Sequence, residues 1–98
     1  MNELIRQAQM MQKKMLRTQE EIGKKEVETS VGGGMVTVKA NCSGEILAVS
    51  IDKAVLEDVD MLQDLVMSAV NEVLKKGKDA MQAEMAQITG GMKIPGLF

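Results

Sequence analysis

Most of the side chains here that could do chemistry are charged, and the charges are unevenly placed. Arg6, Lys13, Lys14, Arg17, Lys24 and Lys25 stand near the start of the chain against Glu3, Glu20 and Glu21, a surplus of three positive charges. At about 100° per residue, Arg6, Lys13, Arg17 and Lys24 share one narrow arc of a helical wheel. Cations fixed along a rod can neutralise a row of phosphates and release their counterions. The same pattern describes the solvated face of any helix whose other face is buried, and the three glutamates dilute it.

A second concentration is acidic: Glu57, Asp58, Asp60 and Asp64. Carboxylates can hold Mg²⁺ or Ca²⁺, but these lack the alternating spacing and central glycine of a calcium loop. A helix start explains them better, with Asp60 and Gln63 spaced as a capping box and the dipole favouring negative charge. Histidine is absent and Cys42 is the only cysteine. That excludes Ser-His and Cys-His nucleophilic pairs and leaves no ligand set for zinc. Gly32-Gly33-Gly34 is not followed by Gly-Lys-Ser/Thr, so it reads as a hairpin turn rather than a phosphate loop. The expectation is a protein that is not an enzyme, with no metal, cofactor or small-molecule substrate.

Composition narrows the partner. The net charge is −2 and the pI about 5.1, so a nucleic-acid reading must rest on where the charges sit rather than on their sum. With a Debye length of about 8 Å, acidic patches elsewhere on the molecule would be screened from DNA held at the basic stripe. Tyr and Trp are absent and Phe98 is the only aromatic residue. Single strands are held by stacking on aromatic side chains, so duplex DNA is favoured, read through its phosphates and shape. Arg6 and Arg17 could also take guanine in a bidentate contact. Membrane-surface binding by the first helix lacks aromatic anchors. A charged N-terminus, a lone cysteine and no long apolar run together read as cytoplasmic.

These side chains need elements to position them. Residues 1 to about 23 read as a long helix with Leu4, Ala8, Met11, Met15, Thr18 and Ile22 on a heptad-like seam, nearly opposite the basic arc. Glu20–Lys24 and Glu21–Lys25 fit i,i+4 pairs, and Gly23 fits a stop. Three strands follow. Val27, Thr29 and Val31 alternate, as do Val36 and Val38, and Leu47, Val49 and Ile51 share one face of a third strand over Glu45 to Ile51. Short turns at Gly32–Gly34 and Asn41–Gly44 make this an antiparallel meander. A second long helix runs from the acidic lead-in to about Ile88, its apolar face including Leu62, Leu65, Val66, Ala69, Val70 and Val73. Gly77 within it marks a close contact or a bend. One domain over 1–88 and a mobile tail over 89–98 complete an α+β chain of order α-β-β-β-α.

Two long amphipathic helices exceed what three short strands can cover. The leftover apolar surface predicts a symmetric homodimer with projecting helix ends, and Val36, Val38, Leu47, Val49, Ile51, Leu65, Ala69 and Val73 are the expected core or dimer-interface residues. Ten methionines, with one Phe and no Tyr or Trp, also suit an adaptable protein-binding surface, so an adaptor or chaperone-like dimer stays open beside DNA binding.

The sequence resembles the YbaB/EbfC family of nucleoid-associated proteins along nearly its whole length. The resemblance is carried by Arg6-Gln7-Ala8-Gln9-Met10-Met11-Gln12, by Gln19-Glu20-Glu21, and by the glycine turn before Met35-Val36-Thr37-Val38. It continues through Ile51-Asp52, the Glu57-Asp58 to Leu62-Asp64-Leu65 stretch, and Gly91-Met92-Lys93-Ile94-Pro95-Gly96-Leu97-Phe98. It implies a tweezer-shaped homodimer in the nucleoid that binds DNA and affects nucleoid organisation or gene expression without catalysis. It further implies that projecting helices make the DNA contact, which carries over to Arg6, Lys13, Lys14 and Arg17, and to Lys75, Lys76 and Lys78. The Asn41-Cys42-Ser43-Gly44 turn departs from a more glycine-rich version in the family.

Overall fold

The computed structural model describes residues 2–89, and the segment expected as a mobile tail lies outside the described residues from position 90 onward. The order is α1 (Asn2–Gly23), β1 (Glu26–Val31), β2 (Val36–Asn41), β3 (Ile46–Ile51), a 3₁₀ turn over Lys53–Glu57, and α2 (Val59–Thr89). The α-β-β-β-α reading therefore holds.

The strands form one antiparallel sheet in the order β1-β2-β3. Gly32, Gly33 and Gly34 all have positive φ in the first turn, a conformation that costs a residue with a Cβ dearly and glycine little. In the second turn the Asn41 side-chain oxygen accepts from the backbone N–H groups of Ser43 and Glu45, both at 3.0 Å. This is the local bonding that makes asparagine a turn residue.

Register decides which residues meet α2. Thr29 pairs with Val38 and Val31 with Val36, while Val38 pairs with Val49 and Val36 with Ile51. Directly opposed residues share a face, so these side chains all point to the α2 side. On the other side Ser30 and Thr37 hydroxyls lie 2.6 Å apart and Lys39 meets Glu26 at 3.9 Å, leaving a polar outer face. Val36, Val38 and Ala40 of β2 are wholly buried against Ala69 and Val73 of α2, with Leu65 packed at the edge of the cluster. Ala69, Val73 and Gly77 recur every four residues along α2 and bring the helix down onto the sheet. At Gly77 an added Cβ would stand 3.2 Å from the Asn41 carbonyl oxygen and 3.3 Å from the Cys42 Cα. Gly77 thus marks a close contact within an uninterrupted helix, not a bend.

Two local expectations are corrected. The cap of α2 is Asp58, whose carboxylate accepts from the Met61 N–H at 3.0 Å. Asp60 sits inside the first turn, because the 3₁₀ turn uses up the preceding residues and starts α2 earlier than the Asp60–Gln63 spacing implied. Nor do Glu20–Lys24 and Glu21–Lys25 form ion pairs. The helix stops at Gly23, and Lys25 turns instead to Glu84 of α2 at 3.9 Å.

Candidate nucleic-acid interface

α1 does not lie over the sheet. Its C-terminal half packs on the C-terminal half of α2, and the two run antiparallel. Leu16 and Gln19 share a groove with Leu74, Lys78 and Met81, whereas Met10 and Met11 share one with Ile88. Met15, Ile22 and Met85 are buried between them. The pair forms an arm that leaves the sheet at the β2–β3 turn, where Ser43 donates its hydroxyl to the Gly23 carbonyl at 3.1 Å. The molecule is accordingly a rod of 67 × 19 × 17 Å.

The seam of α1 is only half used. Met15 and Ile22 are buried, but Leu4 is 71% exposed and Met11 47%.

The basic residues follow from this packing. Arg6, Lys13, Lys14, Arg17 and Lys24 are exposed; on the helical wheel Arg6, Lys13, Arg17 and Lys24 lie opposite Met15 and Ile22, with Lys14 to one side. Among the described residues the ion pairs are Lys25–Glu84 and Lys39–Glu26, so none of those five cations is neutralised by a carboxylate. From Arg6 to Arg17 the helix rises about 16 Å, a span comparable to several phosphates along a duplex. Lys13, Lys14 and Arg17 also border a groove of ≈ 460 Å³ floored by Met10, Met11 and Ile88.

The lysines of α2 are split. Lys75 and Lys78 are exposed, and Lys78 borders a groove of ≈ 750 Å³ with Leu16, Glu20, Cys42 and Leu74. Lys76 is exposed too, but it donates to the Glu28 carbonyl of β1 at 2.8 Å, which ties it to the sheet. Cys42 is buried, in keeping with an inert thiol. Five of the fourteen acidic residues, Asp52, Glu57, Asp58, Asp60 and Asp64, lie toward the opposite end of the rod, while Glu3, Glu20, Glu21, Asp79 and Glu84 stand on the arm. Asp52 donates its backbone N–H to the Met35 carbonyl at 2.7 Å beside the first turn, and Asp58 and Asp60 follow at the start of α2. The arm therefore carries a surplus of positive charge and the far end a surplus of negative charge, with carboxylates on both.

The strongest exposed apolar feature is β3. Lys76 on Glu28 and Leu65 against the Gly32 position fix one flank of α2 over β1. Its other flank, with Met67 and Leu74, turns toward β3 and leaves that strand uncovered. Leu47 is 48% exposed, Val49 47% and Ile51 41%, so within one chain these three are not core, unlike Val36, Val38, Ala69 and Val73. A bulge, with Ala40 opposite Ile46 and Lys39 opposite Ala48, leaves Leu47 as the extra residue. Met10, Ile88 and Met67 were not legible as surface features in the sequence, because each depends on where one helix lies against its neighbour.

Among the described residues no helix is long and apolar enough to cross a membrane. Comparison with known proteins gives consistent matches. The model of the YbaB/EbfC DNA-binding family matches residues 1–92. A nucleoid-associated protein of Pelotomaculum thermopropionicum is 50% identical, over 100% of this chain and 95% of that protein. One from Alkaliphilus metalliredigens is 48% identical over 100% of this chain and 88% of its own length. An uncharacterised Helicobacter pylori protein of known crystal structure superposes with a TM-score of 0.81 at 28% identity, over 92% of this chain and 97% of that one.

Proposed function

This chain belongs to the YbaB/EbfC DNA-binding family, and from that premise we propose that it binds double-stranded DNA through the cations of α1. The contact is to phosphates, with low sequence specificity, and the protein acts as a non-enzymatic nucleoid-associated factor that affects nucleoid organisation and gene expression. The observation that carries this reading is the row Arg6, Lys13, Lys14 and Arg17, exposed and without carboxylate partners on a projecting helix. Lys24 extends the row toward the sheet, with Lys75 and Lys78 as flanking contacts.

The working unit is a homodimer. The uncovered β3, where Leu47, Val49 and Ile51 are exposed, together with exposed Met67 of α2, supports pairing with a second copy, since exposed apolar surface marks an association site. A dimer doubles the basic row and holds two arms at a fixed spacing, as tweezers do. No small molecule or membrane is needed for this function, which is exercised in the cytoplasm on the nucleoid.

A second reading draws on the exposed Leu4, Ile5, Met10 and Leu16 of α1, which would suit a Met-rich adaptor for other proteins. Salt distinguishes the two. With about six phosphates neutralised, log affinity for duplex DNA falls against log salt with a slope near −5. The triple substitution R6E/K13E/R17E abolishes binding and leaves the dimer intact. An affinity that ignores salt, or survives the triple substitution, rejects the DNA reading in favour of the adaptor.

A further inference from the structure

We propose that Met10 is a base-reading residue of α1: its side chain rests on thymine C5-methyl groups in the major groove, beside Gln7, and gives the protein a modest preference for A·T-rich duplex within its low specificity. This rests on the DNA reading above and adds to it a contact that charge alone does not supply.

Met10 is apolar, yet no buried interface calls for it. It stands off the seam that carries Met15 and Ile22, and it is 64% exposed where Met15 is 8%. Its neighbours one turn away are Arg6, Gln7, Lys13 and Lys14, at i−4, i−3, i+3 and i+4. Three of the four are cations and none is a carboxylate. On the helical wheel Arg6 and Lys13 lie about 40° and 60° to one side of it, Lys14 and Gln7 about 40° and 60° to the other. Met10 is thus the centre of a positive patch rather than its edge. Glu3, the nearest carboxylate of α1, is about 10 Å away along the axis. Lys13, Lys14 and Arg17 also border the same surface depression as Met10, which puts cations and apolar group within reach of one ligand.

Charge and size choose the occupant. Cations on both sides of an apolar centre match the two rows of phosphates that border a groove of duplex DNA, and they repel the same arm of a second copy. An α-helix with its side chains is about 10–12 Å across, which fits a major groove about 12 Å wide and not a minor groove about 6 Å wide. A helix seated there on this face carries Arg6 and Lys13 to one phosphate row, Lys14 to the other and Met10 to the floor. The apolar group displayed on that floor is the thymine methyl, and an unbranched, polarizable thioether adapts to its position. Gln7 can take N6 and N7 of adenine, so both side chains read A·T pairs.

Fluorescence anisotropy of the full chain with two short duplexes tests this. One is rich in A·T pairs; the other is identical but carries deoxyuridine for every thymidine, which removes the methyl groups and keeps charge and pairing. The wild-type protein is expected to bind the thymine duplex at least about threefold more tightly, the effect of burying one methyl group. Met10→Ala should bind both duplexes alike, at the level of the uracil duplex and with an equally steep salt dependence, and Met10→Leu should restore the preference. Equal binding of the two duplexes by the wild type, or a preference that survives Met10→Ala, overturns the proposal while the DNA reading stands. Binding of neither duplex at any salt concentration overturns both.

Discussion

The backbone carbonyl of Asn41 lies 3.2 Å from the point where a Cβ on Gly77 would stand, with the Cys42 Cα at 3.3 Å. Helix and sheet touch backbone to backbone there. Neither neighbour is the end of a side chain that could swing aside, and Asn41 is held by its own bonds to Ser43 and Glu45. Gly77→Val should destabilise the protein by about 2–3 kcal/mol, an overpacking cost larger than helix propensity can return. Denaturant unfolding measures it, and a gain in stability would show that α2 can lift from the turn.

Capping gives a paired comparison. Asp58→Ala should cost about 1 kcal/mol through loss of the bond to the Met61 N–H. Asp60→Ala, one position inside the helix, should cost only a few tenths through the dipole. Equal losses in thermal unfolding would return the cap to the position suggested by the Asp60–Gln63 spacing.

Thr29 is buried beneath α2 with its hydroxyl unbonded among the described residues. Thr29→Val keeps the shape and the β-branch and removes a polar group that gains nothing from being there. Stability should rise by about 1 kcal/mol. A loss would mean that the hydroxyl has a partner in solution.

Val38 and Val49 are paired neighbours on one face of the sheet, yet only Val38 is covered. Val49→Lys should leave the chain folded and weaken self-association at least about a hundredfold in sedimentation equilibrium, since a lysine there would be buried unpaired between subunits. Val38→Lys should unfold the chain. A Val49→Lys protein that remains fully dimeric would move the interface elsewhere.

Lys13 and Lys76 separate the electrostatic from the structural cation. Lys13→Ala should weaken binding to all duplex sequences alike and reduce the steepness of the salt dependence by about one. Lys76→Ala should leave both unchanged and cost about 0.5 kcal/mol of stability, because its ammonium is engaged with the Glu28 carbonyl. A matching loss of DNA affinity in both proteins would place the contact at the base of the arm.

What the sequence determined by itself was local. The spacing of Leu4 through Ile22 specified a helix with a seam and an opposite basic flank. Alternation of Val36 with Val38, and the positive-φ demands of Gly32–Gly34, specified strands and their turn. Those signals are periodic within a few residues, so they survive without knowledge of the rest of the chain. The tertiary structure alone decided how far α2 reaches along α1, that Lys76 turns to the sheet while Lys13, Lys14 and Arg17 share a groove, and that β3 lies uncovered. Each of these depends on the register between elements distant in the chain, set by the close approach at Gly77 and by relative helix lengths. No periodicity within a single element encodes that register.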